Sequence, residues 1–454
     1  MNVKVILFLI LSLFVVCVKA QYSSIYTFSV PAAGSYPYGN LLYDQGYLYG
    51  ATANGGLNYK GIFYRVKTDG TGYETLLNLD DSTGYWPNGS MISDSNYLYC
   101  TNSYGGALGA GSIVKIKRDG SGFFKIFDFN FSINCGRPSG ALASDGTFLY
   151  GTTSYGGDYG YGTFYKIKPD GTNFTILYHF DDITGKTPCG NILLDNNYLY
   201  TITTYGGIND DGTICKIKTD GTGFVKLLDF NSLNGQWPTG SLILDGGFLY
   251  GMTRYGGTIN INKGTIFKIK SDGTGYANIL NFDGINGSLP VSSLYSDGTY
   301  LFGLTPISDV GYGSVFKIKN DGTNFSKLYS FTAGSDGGSP QGFLVSDGTC
   351  LYSAVESGWY GGTVFRIGNF VGINENEIHY EFSIFPNPSN SILSITSSVN
   401  YHSIKIINSI GQMVANFEDK RTKISVADLS NGIYFIQFLD KKGNLLKTER
   451  FIKE

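Results

Sequence analysis

Aromatic side chains recur in glycine-rich segments of this chain, at spacings that favour a stacking surface. Four tyrosines each precede a Gly-Gly pair, two tryptophans each precede a proline, and a third tryptophan lies near the last of these segments. Aromatic faces at a wetted rim bind sugar rings, and they also bind protein surfaces. For the tyrosines, packing between neighbouring structural units is the alternative. The candidate rim residues are Tyr104, Tyr155, Tyr205, Tyr255, Trp86, Trp237 and Trp359.

Groups for acid–base or metal chemistry are sparse. His179 is the one histidine between residues 21 and 370, so a multi-histidine metal site is not available there. Loop carboxylates could flank a glycosidic bond or ligate Ca²⁺, but they form no Asp-x-Asp-x-Asp-Gly loop. We therefore predict no catalytic residues, no metal and no cofactor, with Ca²⁺ as the ion these loops would most readily accept. The carboxylates are those of Asp81, Asp181, Asp182, Asp210 and Asp211.

An internal repeat determines the elements that must position these residues. A proline returns every 50 to 52 residues, and Asp-Gly and Gly-Gly pairs return with it. Each copy contains four β-rich runs, A to D, and run C alternates apolar and polar residues as a half-buried strand does. Asp-Gly between runs C and D predicts a hairpin, with Asp69, Asp119 and their equivalents as turn formers. The prolines are Pro37, Pro87, Pro138, Pro188, Pro238, Pro290 and Pro340.

Seven copies of four antiparallel strands predict an all-β fold, a seven-bladed β-propeller with four-stranded blades. The seventh copy stops after run C, at Gly362 to Ile367, and its run D is missing there. Residues Ser24 to Phe28 match a run D placed before the first run A. This N-terminal strand is therefore predicted to close the last blade, which leaves no open end. A solenoid or a smaller split array is the alternative.

The repeat resembles the GloVer-type tandem repeat over nearly all of residues 24–370. The matching motifs are Pro-x-Gly-x-Leu, Leu-Tyr-Gly-x-Thr, Tyr-Gly-Gly, Gly-Thr-x-Phe-Lys-Ile and the Asp-Gly-Thr turn. The resemblance implies a secreted, surface-anchored protein of undefined activity. The sixth and seventh copies depart from it, since Ser308-Asp309 and Ser357-Gly358 replace the Gly-Gly pair. Their loops are expected to differ in shape.

A different segment follows the repeats. Residues 371–380 are typical of a polar linker, and residues 381–454 predict a small β-sandwich. Its motif residues are Pro386, Asn387, Pro388, Gly411, Gly432, Tyr434 and Lys453. On these residues the segment resembles the type A sorting domain of the type IX secretion system. The resemblance implies the secretion machinery as partner, export across an outer membrane, and surface attachment or release; a plain accessory β-sandwich is the alternative.

The N-terminus is typical of a secretory signal peptide. Lys4 precedes an apolar run from Val5 to Val18, and a small residue precedes Gln21, so we predict a signal peptide over residues 1–20. No other segment predicts a membrane span. The signal peptide predicts a secreted protein, and the resemblance to the sorting domain implies that it is extracellular or on the outer-membrane surface of a Gram-negative bacterium.

Charge and cysteine content set further limits. The net charge is −3, and the absence of a basic face argues against nucleic-acid binding. The cysteines that remain after signal removal are an odd, scattered set, most of which we predict to be buried apolar residues. Cys135 and Cys189 lie in equivalent connections of neighbouring repeats, which leaves one disulfide open.

Together these features predict a binding module at the cell surface. The B–C and D–A connections share one face of a propeller, and here they are the longer, aromatic-rich ones. We expect this loop face to bind a glycan or a protein. Two alternatives remain open: a polysaccharide hydrolase or lyase that uses loop carboxylates or His179, and a structural surface protein without a small ligand.

Overall fold

The structure is a computed structural model that describes residues 21–28, 31–37, 41–87, 89–131, 135–257, 262–309, 311–357, 361–368, 382–397, 401–408, 412–441 and 445–454. The chain divides into two compact units, Met1–Val371 and Gly372–Glu454. Both units are all-β, and the helical element among the described residues is a single 3₁₀ turn at Pro31–Ala33. Within the described ranges we find no helix long and apolar enough to cross a membrane.

In its described part, the first unit contains seven antiparallel sheets, each with its strands in the order A-B-C-D. The A strands are Leu42–Asp44, Tyr85–Pro87 with Ile92–Ser93, Cys135–Ser144, Lys186–Asp195, Gln236–Pro238 with Ile243–Asp245, Tyr295–Ser296 and Val345–Ser346. The B strands are Tyr47–Thr52, Tyr97–Tyr104, Leu149–Gly156, Tyr198–Tyr205, Phe248–Tyr255, Tyr300–Thr305 and Cys350–Ser357. The C strands are Ile62–Lys67, Ser112–Lys117, Thr163–Ile167, Thr213–Lys218, Thr265–Lys270, Ser314–Lys319 and Gly361–Gly368. The D strands are Glu74–Asn78, Phe124–Asp128, Thr175–His179, Val225–Asp229, Ala277–Asn281, Ser326–Ser330 and, for the seventh sheet, Gln21–Phe28.

The C strands are more buried than their alternating sequence predicts. In Ile62–Lys67 the first three residues are all buried, and alternation is seen only from Arg65 onward. The reason is that each sheet is covered on both faces by its neighbours, so both sets of side chains enter a core. Apolar residues on one face of a strand therefore pack against the preceding sheet, and those on the other face pack against the following one.

Seven hydrophobic clusters join the sheets in pairs, each sheet to the next. One of them joins the seventh sheet to the first, where Phe28 and Val364 pack with Leu48 and Tyr64. Ring stacks between neighbouring sheets recur at equivalent positions, and three of them have centroids 3.8 to 4.3 Å apart. These three are Phe127 on Phe174, Tyr178 on Phe224, and Tyr26 on Tyr73.

The N-terminal strand occupies the D position of the seventh sheet. Gln21–Phe28 pairs antiparallel with Gly361–Gly368, and Phe28 lies opposite Gly362. The strand that sequence comparison assigns to run D thus hydrogen-bonds to the last run C of the chain. Phe28 is fully buried, as are the phenylalanines that follow other D strands, such as Phe180 and Phe230.

The A segments of neighbouring sheets approach so closely that glycine is required between them. A Cβ atom on Gly140 would lie 1.8 Å from the carbonyl oxygen of Gly190, so alanine does not fit without movement. Next to this contact, the N–H of Ala141 donates to Asn191 Oδ1 at 2.7 Å, and the N–H of Asn191 donates to Ser241 Oγ at 2.6 Å. Backbone proximity and side-chain acceptors together link the A segments.

The predicted turn formers are confirmed. Asp69 Oδ1 accepts hydrogen bonds from the N–H and the hydroxyl of Thr71, at 2.8 and 2.7 Å. Asp119 makes the same pair of contacts with Ser121. The carboxylates that recur in the first six copies therefore stabilise the C–D hairpins.

The disulfide that sequence spacing left open is not formed, because neither Cys135 nor Cys189 belongs to a disulfide. They lie in different inter-sheet clusters, Cys135 between the second and third sheets and Cys189 between the fourth and fifth. Cys100, Cys135 and Cys215 are buried, as expected, whereas Cys189 and Cys350 are half-buried.

The second unit contains two sheets that share one core. The first sheet has the order Phe382–Phe385, Ile392–Ser397, Lys423–Ser425, and the second has Met413–Phe417, Ser403–Asn408, Gly432–Leu439, Leu445–Lys453. Leu393 and Ile424 from the first sheet pack with Ile404, Ile436 and Phe438 from the second. This is the sandwich arrangement that the alternating strands predict.

Candidate functional site

The residue before each repeat proline has an unusual backbone conformation. All seven have a positive φ, between 49° and 59°, which is uncommon outside glycine and asparagine. The conformation recurs in every copy although six different residue types occupy it, and we call these residues the pre-proline positions. They are Tyr36, Trp86, Arg137, Thr187, Trp237, Leu289 and Ser339.

Contacts between successive copies hold the pre-proline positions in place. The N–H of Arg137 donates to the carbonyl of Ala110 at 2.8 Å, and the N–H of Trp237 donates to that of Asp211 at 3.0 Å. In both cases the acceptor belongs to the preceding copy and is followed by a glycine. A Cβ atom on that glycine would clash with the repeat proline; for Gly111 it would lie 2.6 Å from Pro138 Cδ. These contacts form a rigid joint between successive copies, and the side chains before the prolines project from it.

Trp86 and two candidate tyrosines form one aromatic group around Arg137. Tyr104 stacks on Tyr85, with centroids 5.8 Å apart, and meets the edge of Trp86 at 6.2 Å. The guanidinium carbon of Arg137 lies 5.0 Å above Tyr104 and 4.7 Å above Tyr155. Trp86 is 37% exposed and Tyr155 is 45% exposed, so the group both packs internally and faces solvent.

Trp237 and the other two candidate tyrosines form a second aromatic group. The indole meets Tyr205 at 5.5 Å and Tyr255 at 5.2 Å, edge to face in both cases. Trp237 is 37% exposed and Tyr205 is 38% exposed. The pre-proline residue between the two groups is the small Thr187, and the sixth copy has Ile307 in place of the tyrosine. The candidate aromatic residues that the structure describes thus form an arc from Trp86 to Tyr255, and Trp359 lies outside the described residues.

His179 has a structural contact. Its Nδ1 accepts a hydrogen bond from the N–H of Asp158 at 3.0 Å, at the start of the B–C loop. At the equivalent position of other sheets, an oxygen of Asp128, Asp229 or Asn78 accepts the corresponding N–H. His179 therefore replaces a loop-supporting carboxylate or amide.

The loop carboxylates at positions 182 and 210 are joined by a lysine. Lys186 Nζ lies 2.9 Å from Asp182 Oδ1 and 2.9 Å from Asp210 Oδ1. The hydrogen bond from Lys186 holds the pKa of Asp210 below its usual value. A carboxylate whose pKa is lowered in this way stays ionised at neutral pH, so Asp210 is not suited to act as a general acid.

The remaining loop carboxylates also have local partners. Asp181 Oδ1 accepts the backbone N–H groups of Ile183 and Thr184, Asp211 accepts Gln236 Nε2 at 2.8 Å, and Asp81 pairs with Lys60 at 3.0 Å. Burial raises the pKa of Asp211. Within the described ranges, no three His, Cys, Asp or Glu residues are grouped so that they could hold a metal ion.

Three of the sorting-motif residues are joined to the C-terminal strand in the second unit. Asn387 Nδ2 donates to the carbonyl of Arg450, and Asn387 Oδ1 accepts the N–H of Ile452, both at 2.9 Å. Tyr434 stacks on Phe451 with centroids 5.5 Å apart, and Lys453 is buried. The Pro-Asn-Pro segment, through Asn387, thus fixes the end of the chain. Pro386 and Pro388 flank Asn387 in the sequence, and Gly432 lies opposite Lys453 in the pairing of the last two strands. Gly411 lies outside the described residues.

Sequence reasoning missed two residues of the first aromatic group, Tyr85 and Arg137, and it missed Lys60, whose Nζ lies 4.1 Å above the ring of Tyr85. For Arg137 the signal was available, because the residue before each repeat proline can be aligned across copies. What shows that these seven residues form one structural set is their shared positive φ, and a sequence does not reveal φ.

Two family profiles match the chain. The Gloeobacter/Verrucomicrobia repeat profile matches residues 12–210 and 137–365, which together span more than half of the chain. The secretion system C-terminal sorting domain profile matches residues 383–454. The sorting domain marks the chain as a secreted or cell-surface protein that engages the secretion machinery. No curated protein matches the chain by sequence.

Solved structures share the fold at low identity. Oligogalacturonate lyase in complex with manganese is 12% identical with a TM-score of 0.52, over 78% of this chain and 94% of that one. A GH74 enzyme of Niastella koreensis is 14% identical with a TM-score of 0.51, over 94% of this chain and 67% of that one. PorZ, a surface component of the type IX secretion system of Porphyromonas gingivalis, is 13% identical with a TM-score of 0.48, over 94% of this chain and 60% of PorZ. This chain therefore spans 60% of PorZ's length. At these identities the similarity extends to a propeller-like all-β fold and not to an activity.

Proposed function

The chain belongs to the Gloeobacter/Verrucomicrobia repeat family, and from that premise we propose that it is a cell-surface binding module built on a closed, seven-bladed β-propeller. The propeller comprises residues 21–370. A signal peptide at 1–20, a linker at 371–380 and the sorting domain at 381–454 complete the proposed organisation. The sorting domain directs type IX export, after which the propeller is attached to the surface or released.

Several contacts support closure of the ring. The hydrophobic cluster around Phe28 joins the seventh sheet to the first as other clusters join consecutive sheets. The stack of Tyr26 on Tyr73, with centroids 3.9 Å apart, repeats the stack of Tyr178 on Phe224. A Cβ atom on Gly362 would lie 2.3 Å from Pro37 Cδ, as expected if the last C strand adjoins the first proline. A solenoid has no reason to pair its last copy with its first.

The observation that carries the binding role is the variation at the pre-proline positions. Their backbone is the same in all seven copies, yet the side chains range from tryptophan to serine. The shared backbone conformation requires no particular side chain, so different side chains can contact a ligand in different places. Exposed tryptophan and tyrosine faces supply large contact area with little loss of side-chain entropy.

The proposed ligand lies on the loop face, across the aromatic arc from Trp86 to Tyr255. Edge-to-face packing supports each ring from behind, so the exposed faces are presented rigidly. Rigid aromatic platforms suit the flat apolar faces of pyranose rings, and protein partners are the second class that such a rim accepts. The groups that a hydrolase or lyase would need have structural partners, which favours binding over catalysis.

A glycan array and titration calorimetry test this proposal. We expect Trp86→Ala and Trp237→Ala each to weaken ligand binding by about 2 kcal/mol, because each removes one stacking platform. Phe123→Ala is the matched control, since Phe123 is 38% exposed in a C–D turn and lies outside the rim. The control should bind as the unchanged protein does.

The same panel distinguishes the alternatives. Binding that survives both tryptophan substitutions would contradict the rim as the binding surface. Depolymerisation of a polysaccharide that is abolished by His179→Asn would establish an enzyme instead. Absence of glycan binding, combined with rim-dependent capture of a purified surface protein, would leave the module with a protein partner.

A further inference from the structure

Arg137 is the one charged residue among the seven pre-proline positions. The other six are aromatic, aliphatic or hydroxyl-bearing side chains. Because the backbone conformation is common to all seven, the arginine is not needed to form the joint. Its charge therefore requires an explanation specific to the third copy.

Arg137 belongs to a continuous stack of two cations and three rings, which we call the ladder. Lys60 Nζ lies 4.1 Å above the ring of Tyr85, Tyr85 stacks on Tyr104, and Arg137 lies between Tyr104 and Tyr155. The ladder spans three copies: Lys60 belongs to the first, Tyr104 to the second and Tyr155 to the third. Cation–π contacts of this kind hold a guanidinium in place without using its N–H groups as conventional donors.

The Nε atom of Arg137 is buried and has no hydrogen-bond partner among the described residues. Two other arginines of this unit are paired: Arg65 donates to Glu74 and to the carbonyl of Arg118, and Arg118 donates to Asp44. Buried polar groups in proteins nearly always have a partner. A guanidinium presents five donors, and because Nε is buried, the N–H groups of the two terminal nitrogens are the ones that can reach a planar anion.

We propose that Arg137 binds the carboxylate of an acidic polysaccharide whose sugar rings stack on Trp86 and Tyr155. This assignment rests on the binding role proposed for the rim and names its ligand class. The planar fork of arginine matches a carboxylate through two parallel hydrogen bonds. Aromatic platforms that recur in successive copies suit a ligand that itself repeats, which favours a polymer of uronic acids over an acidic peptide.

The test is calorimetric titration of the secreted protein with sodium alginate, a polymer of uronic acids. Propylene-glycol alginate, in which the carboxylates are esterified, is the matched ligand. We expect alginate to bind and the ester to bind at least about tenfold more weakly, since a charge-assisted hydrogen bond contributes roughly this much.

Three variants separate the charge of Arg137 from its geometry. Arg137→Gln should weaken alginate binding about tenfold, and Arg137→Lys should restore only part of it, because lysine keeps the charge and lacks the fork. Arg366→Gln is the control for net charge. Arg366 lies on the C strand of the seventh sheet, outside the ladder, and its Nε donates a hydrogen bond to Ser23 Oγ. This control variant should leave the affinity unchanged. The near-ultraviolet circular dichroism of each variant confirms that the rings remain packed.

The proposal is overturned if Arg137→Gln and Arg366→Gln weaken binding equally, because the effect is then general charge. It is also overturned if poly-glutamate binds as tightly as alginate, which would indicate an acidic protein partner. If neutral glycans bind through Trp86 and Trp237 while alginate does not, the acidic ligand is wrong and the rim function stands. If no glycan binds and no rim substitution affects any partner, both proposals fail.

Discussion

At the scale of single residues, repetition and difference carry opposite meanings in this chain. Asp69 and Asp119 recur because each forms a hairpin turn, so their carboxylates are structural. Arg137 and Trp237 occupy one shared backbone position and differ, so their side chains are free to serve a ligand. His179 illustrates a third case, a unique residue in a shared structural contact. Uniqueness alone therefore does not identify a functional residue here.

His179 gives the prediction for this scale. We expect His179→Asn to unfold in guanidinium at nearly the same concentration as the unchanged protein, because an amide oxygen accepts the N–H of Asp158 as Asn78 accepts that of Leu57. His179→Ala leaves that N–H without an acceptor and should cost about 1 kcal/mol of unfolding free energy.

The two variants must differ for this account to hold. Equal stability of His179→Ala and His179→Asn would show that the loop does not need the acceptor. The aspartate variant, His179→Asp, tests the equivalence with Asp128 and should also retain stability.

At the scale of elements, the A–B turns contain a polar contact that recurs in three sheets. In the third sheet Asp145 Oδ1 accepts the N–H groups of Thr147 and Phe148, and Oδ2 accepts the hydroxyl of Tyr150 at 2.7 Å. Burial raises the pKa of Asp145, but these hydrogen bonds outweigh it and hold the pKa below its usual value. The pKa values of Asp94 and Asp347 are lowered in the same way.

The resulting prediction is a loss of stability in acid. A carboxyl group whose pKa is lower in the folded state stabilises the protein above its unfolded pKa of about 3.9. That contribution disappears as the pH falls through the lower, folded pKa. We therefore expect the urea midpoint of the propeller to be constant near neutral pH and to fall below about pH 4.

Asp145→Asn isolates one of these turns. The amide keeps an acceptor oxygen but not the charge, so the variant should be less stable at pH 7 by about 1 kcal/mol, allowing for partial solvent exposure. It should also lose less stability than the unchanged protein between pH 7 and pH 3. An identical pH profile for both proteins would contradict the assignment.

At the scale of the whole molecule, the proposed ring makes the two ends of the propeller mutually dependent. Phe28 fills the cluster between the seventh and first sheets, and Phe180 fills the one between the third and fourth. Both are fully buried. In a closed ring these clusters are equivalent, whereas an N-terminal arm on an open array would be dispensable.

Phe28→Ala and Phe180→Ala form the matched pair for this prediction. Each should lower the free energy of unfolding by about 3–5 kcal/mol, the usual cost of removing a buried phenylalanine. Guanidinium denaturation measures both. A small effect of Phe28→Ala beside a large effect of Phe180→Ala would count against closure.

The strand content and the repeat period could be predicted from sequence, because alternation and turn residues are local signals. Pairing of Ser24 to Phe28 with the seventh copy could also be predicted, since it follows from one missing run. Burial on both faces of Ile62–Lys67 could not, because the covering side chains lie in other copies. For the same reason the spacing of Cys135 and Cys189 left open a bridge that the structure does not contain.

The sequence by itself determined the all-β class, the period, the sorting domain and the candidate rim aromatics, since each is written in residue types at fixed intervals. Only the tertiary structure decided which side chains meet across copies. In it Arg137 lies between Tyr104 and Tyr155, His179 accepts a hydrogen bond from a B–C loop, and Lys186 pairs with a loop carboxylate. Such contacts depend on the left-handed backbone before each proline and on the distance between neighbouring sheets, and neither is encoded at a single position of the chain.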